Sequence, residues 1–419
     1  MLIWFIKTGE NVPVDGKKVR LLRTGVLSEM FSKYENEVIW WTANFDHFQK
    51  KHRFEKNEIV EIKRNYKIIL LNSRGYKKNV SLSRIQDHKD AAKNFVKISS
   101  DLPKPDVIVA SMPTLDLCIE SIKFANANKI PILIDIRDLW PDIFIDELLP
   151  KFLHGLARFG LYPLFKQIKF ILKNATGIIS ITQPMLDWGL NYAKRPQNQY
   201  DNVFPLAYLP PTITDSQLQK ATNELEKMGI TKKDHYQLRI CLVGSLTGYK
   251  FDLDTVIEVA KRLYQQKKNV QIILAGSGEK LAQYQKSAKE TTNVVFPGWI
   301  NSHQIAALYK ISDVGLAPYR NSLTYSLSIP TKAIEYMASQ LAILTCLQGY
   351  LDKFVEDQDC GYFYNDADSL YQVILKILDN QSELDRKKNK AFEQYLQKFS
   401  GEIVYNEYMK HIIKIIKKR

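Results

Sequence analysis

The segment from Ser326 to Ala338, SLSIPTKAIEYMA, combines a helix start with a lysine and a glutamate. Pro330 suits a first helical position, because its missing N–H would have no partner there. The N–H groups of Thr331 and Lys332 would then face out of a helix N-terminus, which attracts phosphate. Lys332 adds a mobile cation, and the Glu335 carboxylate can accept hydrogen bonds from two hydroxyl groups. A phosphate site beside a diol acceptor predicts nucleotide binding.

Two glycine-bearing turns precede this segment, and each follows an apolar run. In VGSLTGYK, Gly244 and Ser245 could approach a phosphate through the backbone, and Lys250 could reach the same group. In AGSGE, Gly276 is predicted to contact a base or a ribose. A plain strand-to-helix turn explains either loop about as well. Arg320, in a polar loop after the run DVGLAP, is a candidate phosphate ligand, although an exposed loop arginine is at least as often only solvated.

Short apolar runs alternate with helix-length amphipathic segments along the whole chain, which predicts an α/β fold with parallel sheets. The alternation breaks once, in a polar stretch over residues 209–235. We therefore predict a first Rossmann-like domain over 1–208, a linker over 209–235, a second Rossmann-like domain over 236–395, and a basic C-terminal helix over 396–419. That helix would pack toward the first domain or a membrane. Ligands in such sheets bind outside the carboxyl ends of the strands.

The composition is that of a globular protein, with 419 residues, 45% hydrophobic and 25% charged. Four scattered cysteines without CxxC spacing indicate a reducing compartment, and the seven histidines show no metal-ligand spacing. No run approaches the ~18–20 apolar residues of a membrane span. The formal net charge of +14 is compatible with nucleic acid, an anionic membrane or phosphorylated substrates, and also with a lysine-rich solvated surface.

The order of motifs from Leu238 to Tyr364 is more specific than any single one. It runs GSLTGYK, ILAGSGE, VVFPGWI, ISDVGLAPYR and PTKAIEYMASQLAIL. This order resembles the family 4 retaining glycosyltransferases of the GT-B fold, and the PxKxxEYMA form resembles the bacterial enzymes that build O-antigen, capsule or other surface polysaccharide. The resemblance implies two Rossmann-like domains facing across a cleft. It also implies a nucleoside-diphosphate sugar donor, with UDP expected, retention at the anomeric carbon, and no metal or other cofactor.

The first half resembles the same family more loosely. The segment IDIRDLWPD contains Arg137 and Asp138, which the resemblance places nearest the reacting sugar and the acceptor hydroxyl. The loop from Thr8 to Gly25 resembles the glycine-bearing first loop that faces the donor in such enzymes, and within this half we assign Gly16 to the acceptor side. His47, in NFDH, also follows an apolar run and is a candidate acceptor contact, although a surface-loop histidine is about as plausible.

One position departs from the family pattern. Many members carry two glutamates eight positions apart, of which Glu335 matches the second, whereas Leu327 stands in place of the first. In the family that first carboxylate lies near the sugar. Asp252 and Asp254 form a DxD match, the metal motif of another glycosyltransferase fold, but we interpret them as a helix cap. Asp366 is interpreted in the same way.

Two basic segments mix cations with apolar residues at helical spacing: Lys151–Lys173, which contains no acidic residue, and Met409–Arg419. Such segments can lie in a membrane interface, although core helices with basic outer faces would show the same sequence pattern. A polyprenyl-phosphate-linked acceptor would favour the first interpretation. We therefore expect a cytoplasmic enzyme, peripheral on the inner membrane face, that binds no nucleic acid. The rival predictions are a sugar-nucleotide epimerase on the same fold and a basic protein that binds nucleic acid or a membrane surface.

Overall fold

The computed structural model describes residues 1–16, 19–79, 81–147, 149–230 and 236–417. It divides into two compact units. The first unit contains Met1–Pro205 together with Val404–Arg419, and the second contains Leu206–Ile403. The first unit is therefore discontinuous in sequence, whereas the pattern of strands and helices predicts one continuous domain over residues 1–208.

The first unit is built on parallel strands joined by helices. Its strands are β1 (Leu2–Ile6), β2 (Glu37–Ala43), β3 (Phe45–Asp46), β4 (Lys51–His52), β5 (Glu58–Lys63), β6 (Tyr66–Leu71), β7 (Val107–Ser111), β8 (Ile132–Ile136), β9 (Gly177–Ser180) and β10 (Asn202–Val203). Its helices within Met1–Pro205 are α1 (Arg23–Lys33), α2 (Leu82–Ser99), α3 (Leu115–Ala127), α4 (Asp142–Asp146), α5 (His154–Gly160), α6 (Tyr162–Asn174) and α7 (Gln183–Ala193).

The main sheet of this unit has the strand order β10-β9-β8-β7-β1-β2-β6-β5. Only the edge strand β5 is antiparallel to its neighbour, and β3 pairs with β4 in a separate hairpin. Every residue of β7 and β8 is buried, as a parallel sheet covered on both faces requires. The indole of Trp4, on β1, packs 4.9 Å from that of Trp41 on β2, so aromatic side chains fill the core beside the centre of the sheet.

The second unit repeats the architecture. Its elements are α8 (Asp215–Lys227), β11 (Leu238–Val243), α9 (Leu253–Gln265), β12 (Val270–Ala275), α10 (Leu281–Ser287), β13 (Val294–Val295), α11 (Ser302–Ile311), β14 (Val314–Ala317), α12 (Leu323–Ser326), α13 (Thr331–Ala338), β15 (Ala342–Thr345), α14 (Tyr350–Asp357), β16 (Gly361–Phe363), α15 (Ala367–Asp379) and α16 (Gln381–Gln394). The final helix, α17, spans Gly401–Lys417.

The sheet of the second unit has the order β13-β12-β11-β14-β15-β16, and all its pairs are parallel. All residues of β11 and β12 are buried, which agrees with their uninterrupted apolar sequence. Because β11 lies between β12 and β14, the connections from these central strands leave toward opposite sides. Such a switch point is where open α/β sheets bind ligands, beyond the carboxyl ends of the strands.

The segment predicted to be a linker contains the helix α8. Thr214 caps it by accepting from the Gln217 N–H, and the Gln217 side chain accepts from the Thr214 N–H in return. Ala221 and Leu225 are buried in the core of the second unit. α8 buries only a narrow apolar stripe, and the rest of its surface is polar. The segment therefore has a polar sequence, although it is packed into the second unit. Residues 231–235 of the predicted linker lie outside the described residues.

The basic C-terminal segment packs its apolar side on the first unit. Tyr408 and Ile412, on α17, are fully buried, and the Tyr408 ring stacks on Phe204 at 4.4 Å and 6°. The His411 side chain makes a 3.1 Å hydrogen bond to the Tyr200 carbonyl. The apolar face that could have entered a membrane is therefore already covered by protein. Of the helices in the described residues, none combines the length and apolar character needed to cross a bilayer.

Candidate functional site

The N-terminus of α13 opens at the switch point of the second sheet. Pro330 adopts extended backbone angles (φ −61°, ψ 145°) and is the cap residue, so the first helical residue is Thr331, one position later than predicted. Pro330 supplies no side-chain cap. Within the described part of the chain, the N–H groups of Thr331 and Lys332 meet no hydrogen-bond acceptor. The helix therefore presents two open donors and the positive end of its dipole.

Two lysines and one glutamate converge beside this helix end. The Lys332 ammonium lies 2.8 Å from Oε2 of Glu335, and the Tyr309 hydroxyl donates to the same oxygen at 3.4 Å. Burial lowers the pKa of Lys250, the nearby Lys332 charge lowers it further, and Glu335 opposes both. A bound phosphate would offset the repulsion between the two ammonium groups. This cluster of Lys250, Lys332 and Glu335, which we call the lysine–glutamate cluster, combines the predicted cations with the predicted diol acceptor.

Aromatic rings surround Lys250. Its ammonium lies 5.3 Å from the Phe251 ring centre, 5.5 Å from that of Tyr319 and 5.8 Å from that of Tyr325. These distances fall within the range of cation–π attraction. Attraction to these rings restricts the position of the Lys250 ammonium, which the flexible lysine side chain alone would not do.

The glycines of the two turns mainly serve packing between the turns. The Gly244 N–H donates to the Ala275 carbonyl at 2.9 Å, and the Gly276 N–H donates to the Gly298 carbonyl at 2.7 Å. Gly276 has a φ of +139°, and a Cβ there would lie 1.8 Å from the Gly244 oxygen. Neither N–H is therefore available to a ligand, so any contact of Gly244 or Gly276 with a sugar donor would have to use another backbone group, and their binding roles stay predictions. Ser245 is exposed, and its N–H has no acceptor among the described residues.

Arg320 closes the loop that carries Lys250. Its guanidinium donates to the Gly248 carbonyl at 3.3 Å and lies 3.2 Å from Asp252 and 3.7 Å from Asp254. A phosphate that binds the Arg320 guanidinium would therefore have to compete with two carboxylates that already pair with it. Asp252 does occupy the cap position of α9, but its side chain accepts from the Thr255 hydroxyl and makes no cap hydrogen bond. Asp366, in contrast, caps α15 through the Ser369 N–H at 2.8 Å.

Metal ligands do not gather at this site. Among the described residues, no three histidine, cysteine, aspartate or glutamate side chains group closely enough to hold a metal ion. Leu327, the departure from the family pattern, is half-buried at the end of α12.

Two exposed aromatic side chains were not predicted from the sequence as candidate site residues. They are Tyr249, at 77% exposure, and Trp299, at 72%. Each lies in a turn that follows a strand, a position that could have marked them as candidates to stack on a base.

The first sheet has its own switch point, between β1 and β7. The Lys7 ammonium, one residue past β1, donates to the Met112 carbonyl just after β7 at 3.2 Å. The hydroxyls of Thr8 and Thr114 are 2.6 Å apart across the same two strand ends. Burial lowers the pKa of Lys7, as does Arg137, whereas Glu10 and Asp138 raise it. A lysine thus stands at the place where the sheet geometry predicts a ligand.

Arg137 and Asp138 are adjacent but have different environments. The Arg137 guanidinium donates to Asp135 at 2.9 Å, to Thr24 at 3.1 Å and to Glu10 in a short contact. These partners bind it into a buried network beneath the strand ends. The carboxylate of Asp138, in contrast, has no hydrogen-bond or ion-pair partner within the described residues. Burial raises the pKa of Asp138, against the opposing charges of Lys7, Arg84 and Arg137.

The geometry therefore separates the two predicted catalytic residues. Arg137 is held at the strand ends by its buried carboxylate partners, and its catalytic role stays a prediction. Asp138 is half-buried, and its carboxylate oxygens are not engaged by the described residues, so its predicted role stays open.

His47 and Gly16 are the predicted acceptor-side residues. The His47 Nδ1 lies 2.5 Å from the Tyr76 hydroxyl, and burial, with help from Lys50 and Arg84, lowers the pKa of His47 to about 4. His47 is therefore neutral at physiological pH and can exchange hydrogen bonds with a hydroxyl. Gly16 is exposed at φ +142°, just after a short turn, and the following residues 17 and 18 lie outside the described part of the chain.

The comparisons with known proteins place the fold. Residues 237–380 match the family model for glycosyl transferases group 1. Sucrose-phosphate synthase from Thermosynechococcus elongatus superposes with a TM-score of 0.71 at 17% identity over 100% of both chains. HepE of Anabaena, in complex with UDP and glucose, gives 0.63 at 12% identity over 98% of each chain. WaaG, a glycosyltransferase involved in lipopolysaccharide biosynthesis, gives 0.60 at 13% identity over 95% of each. No curated protein sequence matches this chain.

These likenesses define the class of fold. The chain has the GT-B fold of glycosyltransferases, with two Rossmann-like units, and this confirms the predicted α/β class. The family match lies entirely within the second unit and covers the lysine–glutamate cluster.

Proposed function

We propose that this protein is a retaining glycosyltransferase that takes a sugar from a nucleoside-diphosphate donor. The observation that carries this proposal is the lysine–glutamate cluster at the open N-terminus of α13, within the segment that matches group 1 glycosyl transferases. The diphosphate would accept from the N–H groups of Thr331 and Lys332 and pair with the Lys250 ammonium. Glu335 would accept from the ribose hydroxyls. An ionised carboxylate has about four acceptor positions, so the donors on its Oε2 do not saturate it.

The chemistry follows from this arrangement. The bond from the anomeric carbon to the diphosphate oxygen breaks, and its electron pair leaves with the diphosphate. The acceptor oxygen bonds to the same face of that carbon, and its proton passes to the departing phosphate oxygen. Fixed donors and cations at the developing charge lower the barrier by several kcal/mol, so we propose that no metal is needed. In the first unit, Asp138 would orient the acceptor hydroxyl and neutral His47 would assist.

We further propose UDP as the nucleotide, with a hexose or N-acetylhexosamine as the transferred sugar. HepE binds UDP, and a trehalose-6-phosphate enzyme from E. coli, similar at a TM-score of 0.66, is bound to UDP-2-fluoro glucose. The acceptor we propose is a saccharide on a polyprenyl phosphate, for surface polysaccharide synthesis. WaaG, by its description, acts in lipopolysaccharide biosynthesis.

A thermal-shift titration tests the donor site. At one hundred times its Kd, UDP should stabilise the second unit by about 2.7 kcal/mol, which raises the Tm by roughly 5–10 °C. The increase should persist in EDTA, exceed that from GDP, CDP or ADP, and largely vanish in Lys250→Met. Lys310→Met, which removes an exposed charge on α11, is the control and should respond as the wild type does. If no nucleotide shifts the Tm, the proposed donor site is wrong.

The basic segment over residues 151–173 presents an apolar surface. Phe152 is 83% exposed, Leu156 72% and Phe159 82%. Three cations, Arg158, Lys166 and Lys169, line an adjacent groove of about 270 Å³ together with aromatic rings. Each cation near an anionic bilayer surface adds about 1 kcal/mol of attraction. We therefore propose that this surface, unlike α17, lies in the interface of an anionic membrane, where a lipid-linked acceptor would be found.

Vesicle sedimentation tests the membrane surface. The wild type should bind phosphatidylglycerol vesicles more tightly than phosphatidylcholine vesicles, and less tightly at high salt. Phe152→Ser with Phe159→Ser should weaken binding at least ~10-fold, since each buried phenyl ring contributes on the order of 1.5–3 kcal/mol. The matched control, Ile59→Ser with Leu82→Ser, also removes two exposed apolar side chains of the first unit and should bind normally. Equal binding by both double variants would contradict the assignment.

A further inference from the structure

Several cationic side chains lie near Asp138 at the carboxyl ends of the strands in the first sheet. Lys7 lies at the switch point, and Lys50 and Arg84 lie on the segments that follow β3 and β6. Both approach one aromatic ring: the Lys50 ammonium is 4.6 Å from the Tyr76 ring centre, and the Arg84 guanidinium carbon is 5.5 Å from it. Lys7, Lys50 and Arg84 all act on the His47 ring, which itself contacts the Tyr76 hydroxyl. We call these three cationic residues the cation group.

The cation group has no counter-charge at contact distance. Within the described residues, no carboxylate oxygen lies within 4.0 Å of a nitrogen of Lys7, Lys50 or Arg84. The hydrogen bonds of Lys7 and Lys50 go to neutral oxygens, the Met112 carbonyl at 3.2 Å and the Asn79 side chain at 2.6 Å. Arg84 donates one of its N–H groups to the Asn79 carbonyl at 2.8 Å, and its Nε is buried without a partner. An anion would satisfy this donor.

Electrostatics indicate the same need. Burial lowers the pKa of Lys50, and the charge of Arg84 lowers it further, while Asp46 opposes them. Arg84 also lowers the pKa of His47, so His47 remains neutral and adds no positive charge. The charge of Arg137 is already balanced by Glu10 and Asp135. Asp138, in contrast, faces Lys7 and Arg84 without an ion-pair partner among the described residues.

We propose that the cation group binds a phosphate or diphosphate carried by the acceptor, next to the hydroxyl that Asp138 orients. This inference rests on the proposed function of the first unit and narrows its substrate. The Arg84 guanidinium carbon lies 4.9 Å from the ring centre of Trp140, two residues past Asp138. The charges of Lys7 and Arg84 both act on Asp138, so the phosphate would lie close to the reacting sugar. The enzyme would therefore add a sugar to a short acceptor whose phosphate lies close to the reacting hydroxyl. A sugar far from the phosphate on a long chain could not contact Asp138 while its phosphate contacts the cation group.

Calorimetric titration of the full chain with saturating UDP present tests this proposal, because UDP then occupies the donor site. Glucose 1-phosphate, inorganic pyrophosphate and farnesyl diphosphate are the probes. The wild type should bind at least one of them, and Arg84→Met and Lys50→Met should each weaken its binding about 10- to 100-fold, the range for a charged hydrogen bond. Lys97→Met, on the same helix as Arg84, is the control and should bind as the wild type does.

The probes also distinguish the source of the phosphate. Tighter binding of farnesyl diphosphate than of pyrophosphate would indicate a lipid-linked acceptor, and equal binding of both, with glucose 1-phosphate bound, would indicate a free sugar phosphate. Either result supports the phosphate site. Absence of binding by all three probes, or undiminished binding in both variants, would overturn it. The UDP response of the same samples reports the donor site separately, so the two proposals can fail independently.

Discussion

Glu335→Gln should lower kcat/KM for the nucleotide-sugar donor by roughly 100-fold or more, because two charge-assisted hydrogen bonds of about 1.5–3 kcal/mol each would be lost or weakened. The effect should appear mainly in the donor KM, with the UDP-dependent rise in Tm reduced in parallel. Glu335 is 4% exposed and already accepts from Lys332 and Tyr309, so its position is fixed before a ligand arrives. Glutamine keeps the shape of the side chain while removing the charge.

A matched control separates this effect from a general loss of helix charge. Glu393, on α16, pairs with Lys390 at 2.8 Å in the same i,i+3 spacing as Glu335 with Lys332. Glu393→Gln should leave the donor KM unchanged, since this pair is exposed and contributes little. Normal transfer kinetics in Glu335→Gln would refute the nucleotide site.

Asp138→Asn should lower kcat by roughly 100-fold, the lower range for loss of an acid–base or orienting group, while the donor KM stays near the wild-type value. The wild-type rate should also fall on the acid side at a pH above the ordinary aspartate pKa of 3.8, because burial raises the pKa of Asp138 although Lys7, Arg84 and Arg137 oppose it. That acid limb should disappear in the asparagine variant. Transfer rates measured from pH 4 to 8 check both expectations.

Stability distinguishes this role from a structural one. Burial disfavours the charged form of Asp138 in the native state and raises its pKa, so ionisation of Asp138 costs folding free energy that is incurred as the pH rises past its unfolded pKa. Asparagine removes that cost, and the Tm of Asp138→Asn should equal or exceed that of the wild type. Arg137→Gln should instead lower the Tm, because it removes one cationic partner from each of the buried carboxylates Asp135 and Glu10.

The control for a buried carboxylate is Asp116, in a groove between α2 and α3, whose pKa burial also raises. Asp116→Asn should keep the wild-type kcat. A fall in Tm for Asp138→Asn, or an unchanged kcat, would count against its orienting role.

Much of the fold was predictable because buried parallel strands have an unmistakable sequence. Runs such as RICLVG and VQIILAG need no alternation, since both faces of the sheet are covered. The edge strand β5, EIVEIK, was not predicted. Its residues are alternately half-buried and exposed, and its charges are typical of an edge that faces water.

The site was predictable where a single element carries it and less so where partners come from afar. Thr331, Lys332 and Glu335 share one helix, so their spacing alone predicts their proximity. Arg137 has one partner close in sequence, Asp135, but its other partners are more than a hundred residues away, and the Asp252 partner of Arg320 lies in another loop. No local pattern therefore shows how fully those guanidinium groups are engaged. The cation group was missed for the same reason, although each member follows a predicted strand or lies on the segment after one.

The place of α17 in the first unit determines when that unit can be complete. Residues from Val404 onward contribute Tyr408 to the stack on Phe204, yet the ribosome makes them after the whole of Leu206–Ile403. The second unit can therefore finish folding during synthesis, while the first must wait, with Phe204 uncovered, for the last helix to emerge. A nascent chain that has not yet exposed residues from 404 onward would carry a finished second unit and an unfinished first unit.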